Sequence, residues 1–182
     1  MACAAALGLL LAPRVAAAQR TVYERLAFAT PQEAAQAFLR AWRSQDFATV
    51  YWILAPETQN AIAETYERLL VEPLVGRVPP TANRLAVAEE AMPILAAREH
   101  HNDMAWLFDF MMQVGRRRGA TPFVLPEGVE AGTPAMLPDG RAASKVGMLE
   151  MLLTRSPAGH WRVLGVFGPG ADRSQLPWGI GP

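Results

Sequence analysis

Residues 140–167 read GRAASKVGMLEMLLTRSPAGHWRVLGVF, and the reading of this stretch decides the fold class. Two apolar runs, 140–154 and 159–167, flank Arg155, Ser156, Pro157 and Ala158. Strand-length apolar runs on either side of a short Ser/Pro turn read as a β-hairpin. Two strands alone are marginal in water. Partners are therefore expected, and residues 121–125 and 131–137 are the available candidates.

Upstream of this hairpin the periodicity is helical. Thr30, Pro31, Gln32 and Glu33 form a capping box with proline in the first helical position, which predicts a helix from Pro31 to about Ser44. Its inner stripe is Ala35, Phe38, Leu39 and Trp42, spaced by three and four. Ser44, Gln45 and Asp46 make a turn, and Asp46 caps a short second helix reaching Leu54. Pro56 restarts the chain as a third helix with Ile62, Tyr66, Leu69 and Leu70 on one face, and Pro73 lies beyond its end. Residues 81–101 are again helical in pattern, kinked near Pro93. Met104, Leu107, Phe108 and Met111 give one more amphipathic stripe, which Gly115 and Gly119 are expected to end. Helices first and strands last predict an α+β fold, with N-terminal helices packed on a small, curved, mainly antiparallel sheet that ends in the C-terminal hairpin.

At 182 residues, 51% of them apolar, the chain suits one buried core and is short for two. Residues 1–18 read as a cleavable export leader: an apolar Ala/Leu/Gly run, Pro13, then small residues at Ala16, Ala17 and Ala18. The run is well short of the roughly 20 residues a membrane span needs. The expected division is leader 1–18, linker 19–29, an α+β domain 30–168 and a Pro/Gly-rich tail 169–182. The mature chain is then exported, periplasmic or extracellular, without a membrane span. It keeps 16 basic against 17 acidic side chains, which gives no electrostatic reason to expect nucleic acid. Cys3, the sole cysteine, leaves with the leader, so no disulfide is expected.

Residues 30–57 resemble a recurring opening of secreted bacterial proteins in the nuclear transport factor 2-like superfamily. They share its capped amphipathic helix with Phe38 and Trp42, the Ser44 to Asp46 turn, a short helix with Tyr51 and Leu54, then Pro56 and Glu57. Gly159, His160, Trp161, Arg162 and Val163 are similar to the last sheet strand of that fold. The middle departs, with helical pattern at 81–114 where the family places an early strand. The resemblance implies a cone of helices over a curved sheet enclosing a cavity. In relatives such a cavity binds small apolar molecules, mediates dimer contacts or hosts acid–base chemistry.

The residues that bear on chemistry leave alternatives open. Glu150 interrupts the apolar run 147–153: facing a cavity it would act as a general base, whereas on an edge strand it would sit in water opposite Arg162. Asp109 lies among Trp106, Phe108 and Phe110, either cavity-facing or on the exposed side. Arg116, Arg117 and Arg118 suit an anion or a lipid headgroup, and equally complement a helix C-terminus. His100, His101 and Asp103 lack the spacing of a zinc site, and His160 has no nucleophile with a local signature, so neither a metal nor any other cofactor is expected. Trp42, Tyr51, Tyr66, Trp106 and Glu150 are the candidate cavity residues. The leading expectation is a non-enzymatic domain that binds an apolar small molecule or a protein partner. The rivals are a cofactor-free isomerase or cyclase using Glu150 or Asp109, and an adaptor forming a homodimer through the sheet.

Overall fold

The computed structural model describes residues 26–66, 104–119, 121–125, 127–174 and 176. Among these, four helices precede a four-stranded antiparallel sheet of order β1-β2-β3-β4. The helices are α1 (Pro31–Arg43), α2 (Phe47–Ile53), α3 (Pro56–Tyr66) and α4 (Met104–Arg117). The strands are β1 (Ala135–Met136), β2 (Ala142–Val146), β3 (Leu149–Arg155) and β4 (Trp161–Phe167). The α+β class with a C-terminal hairpin is the one the sequence predicts.

The capping box is present in full. Thr30 Oγ1 accepts from the Glu33 N–H at 3.2 Å, and the Glu33 carboxylate accepts from the N–H groups of Ala29 and Thr30. At the next boundary the Asp46 carboxylate accepts from the Thr49 N–H at 3.0 Å, satisfying one of the donors a helix start leaves open. The buried face of α1 carries Ala34, Ala35, Ala37 and Ala41 beside Phe38, Leu39 and Trp42, and small residues there let the helix lie close on β3 and β4. Helix α2 packs between α1 and α4.

The hairpin expected from residues 140–167 is tighter than one long strand and its return. Residues 140–154 hold two strands, β2 and β3, reversed at Gly147 and Met148. Gly147 has φ +61°, a left-handed conformation that its missing Cβ makes inexpensive, so the apolar run folds on itself instead of continuing. Glu150 consequently lies on an interior strand, opposite Lys145 on β2 and Phe167 on β4, while Arg162 faces Thr154. The alternative that placed Glu150 on an edge strand opposite Arg162 is therefore wrong. Residues 121–125 form no strand, and of 131–137 only Ala135 and Met136 pair. Gly115 lies inside α4, which continues to Arg117. The readings at Leu69, Leu70 and residues 81–101 lie outside the described residues, as does the leader.

Both faces of β3 and β4 are buried. Met151, Leu153, Trp161, Val163 and Val166 join the helix-facing core, while Leu152, Arg162 and Phe167 are equally covered on the other face. Opposite the Leu152–Leu153 step β4 carries one extra residue, Leu164, and this bulge brings Val163 and Val166, three apart, onto the same face. The outer edge of β4 is held at two points. Trp161 N–H donates to the Phe28 carbonyl at 3.0 Å, and Ala55 N–H donates to the Val163 carbonyl at 2.8 Å. The Thr58 hydroxyl adds a bond to the Leu164 carbonyl.

Arg162 is the fully buried cation of this assembly. Its guanidinium donates to the Leu26 and Trp161 carbonyls and lies 5.8 Å from the Phe28 ring centre. It ties the segment ahead of α1 to β4. Replacing it by methionine keeps the stem but orphans the Leu26 carbonyl. Arg162→Met is expected to lose about 2 kcal/mol in urea unfolding, and an unchanged midpoint would show that the guanidinium contributes nothing to holding this segment.

Candidate functional site

A cleft of about 610 Å³ opens where α1 ends, α2 begins and α4 ends, with Thr121, Phe123, Val124, Leu125, Glu127 and Gly128 as its far wall. Its floor is aromatic. Trp42 stacks on Phe123 (centroids 4.0 Å apart, planes 12° from parallel), lies against Phe38 on its own helix (5.7 Å, 19°), and meets Phe47 edge-on (5.4 Å, 80°). The Ser44 to Asp46 turn builds the near wall. Its middle residue, Gln45, has φ +61°, a left-handed backbone that a non-glycine side chain adopts at a cost of about 1 kcal/mol. Val124, on the opposite wall, is 78% exposed.

The rim is charged. Arg43 is the last residue of α1, Arg116 belongs to the last turn of α4, and Glu127 lies on the far wall. The cleft therefore offers aromatic edges and charged groups in comparable measure, and its volume lies in the range that small-molecule sites span.

Of the residues expected to line a cavity, the structure brings Trp42 to this cleft and places the others elsewhere. Tyr51 is buried between α2 and α4 against Phe108 (5.7 Å) and Trp52 (5.5 Å). Tyr66 packs on the same core, where burial and then the neighbouring Tyr51 phenol push its own phenol above the ordinary range. Trp106 is 65% exposed on α4. The interface between α1 and the sheet, where the resemblance puts a cavity, is occupied by Phe38, Leu39, Met151, Leu153, Trp161 and Val163.

Glu150 borders a separate, smaller cleft of about 290 Å³ with Met148, Phe167, residues 168–171 and Arg173. The tail turns back here: Ala171 N–H donates to the Gly168 carbonyl, Asp172 accepts from Ser174, and Arg173 forms an ion pair with Glu150. The Glu150 carboxylate is thus engaged by a guanidinium from the tail and does not face an enclosed apolar cavity.

Asp109 accepts from the Phe47 N–H and from the Gln113 side chain, so α4 supplies a cap to the start of α2. Desolvation is the largest influence on its carboxyl and, with the nearby Asp46 charge, raises it above the usual carboxylate range despite those hydrogen bonds. The folded chain therefore keeps this proton to a higher pH than the unfolded chain. The stability that the neutral form contributes is complete at pH below the ordinary carboxylate value and is lost as pH rises through the folded value. Asparagine keeps an acceptor for the Phe47 N–H without a charge to desolvate. Asp109→Asn is expected to melt at or slightly above the wild-type temperature at pH 7, the gap closing toward pH 3. A clear loss of stability at pH 7 would contradict the raised carboxyl, because it would show that the charged form stabilises the fold.

The sequence offered one sign of the cleft's charged rim, the triplet at 116–118, and none of Arg43 as a partner. Phe123 and Val124 were read as strand, and a period-two pattern gives no hint that a loop ring completes a stack on Trp42. Among the described residues no group of three or more His, Cys, Asp or Glu is placed to hold a metal ion, and no helix is long and apolar enough to cross a membrane. Comparisons of the chain with protein-family models, with curated proteins and with solved structures give no match.

Proposed function

We propose that this chain is an exported, non-enzymatic domain that binds a small apolar molecule in the cleft floored by Trp42, Phe47 and Phe123. One observation carries the reading: a 610 Å³ opening in which an aromatic stack continues onto a wall bearing an exposed valine. Exposed apolar surface costs free energy in water, about 25 cal/mol per Å², and a ligand seated against Val124 and the aromatic edges removes it. Export follows from the leader at 1–18. The likeness to the nuclear transport factor 2-like superfamily belongs to this reading as well, supported by helices laid on an antiparallel sheet and by the order of features at 30–57. In this chain the binding volume lies at the helix ends, outside the helix–sheet interface. Glu150 and Asp109, one ion-paired and one capping a helix, favour binding over acid–base catalysis.

The test uses 1-naphthol, a neutral fused-ring probe, and isothermal titration calorimetry on the purified chain. One saturable site is expected. Val124→Asp, on a side chain too exposed to affect folding, should weaken binding about tenfold, equivalent to ~1.4 kcal/mol, with the melting temperature unchanged. Absence of saturable heat, or a variant that binds as the wild type does, would sink the proposal.

A further inference from the structure

We infer that the ligand of this cleft is a small carboxylate: an apolar, ring-sized body on the aromatic floor and an anionic group held between Arg43 and Arg116. The inference rests on the binding reading above and adds the chemistry of the ligand's head.

Most of the described arginines have a partner within the chain. Arg162 is buried against carbonyls, Arg141 pairs with Asp139 at 2.5 Å, Arg173 pairs with Glu150, and Arg155 lies over the Trp161 ring at 5.0 Å. Each has an intramolecular use. Arg43 and Arg116 line the cleft, and no ion pair joins either of them to another described residue; Arg40, one turn back on α1, also lacks one but lies outside the lining.

Helix C-termini attract cations, so two arginines there would need no ligand if their task were to satisfy the last carbonyls. Three of the last four carbonyls of each helix are already taken by backbone donors. On α1, Ser44 N–H donates to Arg40, Gln45 N–H to Trp42, and Asp46 N–H to Ala41. On α4, Arg118 N–H donates to Val114 and Gly115, and Gly119 N–H to Arg116. Both arginines line the opening and both are exposed. Arginine presents a planar fork of donors that matches a carboxylate with two parallel bonds, and beside an aromatic floor such a pair is shielded from water on one side. Glu127 supplies the lone negative charge of the lining, leaving the cleft positive by one.

The experiment compares 1-naphthoate with 1-naphthol, which share a ring body and differ in the charged head. Calorimetry on the full chain at low salt should show naphthoate binding at least about tenfold tighter. Arg43→Gln and Arg116→Gln, both at exposed positions, should each weaken naphthoate fivefold or more and leave naphthol unchanged. Glu127→Gln should tighten naphthoate, and raising the salt should weaken it alone. Equal affinities for the two probes, or arginine variants that bind naphthoate as the wild type does, overturn the carboxylate inference while leaving the cleft as an apolar site. Failure of both probes to bind removes the cleft reading and this inference with it.

Discussion

Burial of β3 and β4 on both faces is the constraint that the rest of the molecule obeys. A strand pair with Met151, Leu152 and Leu153 all out of water needs cover above and below, and backbone partners along its outer edge as well. Phe28 and Leu54 meet that edge at Trp161 and Val163. Because those two contacts fall just before α1 and just after α2, they fix where the first two helices start and finish. The chain between them has room for one long helix, one short helix and the Ser44 to Asp46 turn.

The cleft follows from that arrangement. Helix α1 is anchored against the sheet by its alanine face, and its last aromatic, Trp42, reaches past the sheet's edge to where α4 ends. Phe123 covers one side of Trp42 and Phe38 the other, so the indole is rigidly held and shows the opening only its margin. Rigid aromatics at the junction of three element ends, rather than a hollow between helix layer and sheet, make the surface on which a ligand can be recognised.

Local signals were legible where the physics is local. The Thr30 box, the Asp46 cap and the stripe Ala35, Phe38, Leu39 and Trp42 each depend on residues within one or two turns, and all are present as read. The misreadings share a cause. Whether residues 140–154 form one strand or two depends on Gly147 adopting a left-handed backbone, which composition alone does not declare. Glu150 could be read as a cavity acid or as a solvated side chain because its neighbours in sequence are apolar, and its observed partner is Arg173, a residue that only the tail's return brings near. Asp109 likewise belongs to the start of a helix some sixty positions away. That Arg43 and Arg116 line one cleft, and that Phe123 stacks on Trp42, are long-range facts with no periodic signature.

The central claim is that ligand recognition takes place at the junction of α1, α2, α4 and the wall formed by residues 121–125, 127 and 128. Amide chemical-shift mapping of isotopically labelled protein with 1-naphthoate tests it most directly. The account predicts that the largest changes cluster at residues 42–47, Arg116 and 121–128. Changes centred instead on Glu150 and residues 168–173, or between α1 and the sheet at Phe38 and Val163, would contradict it.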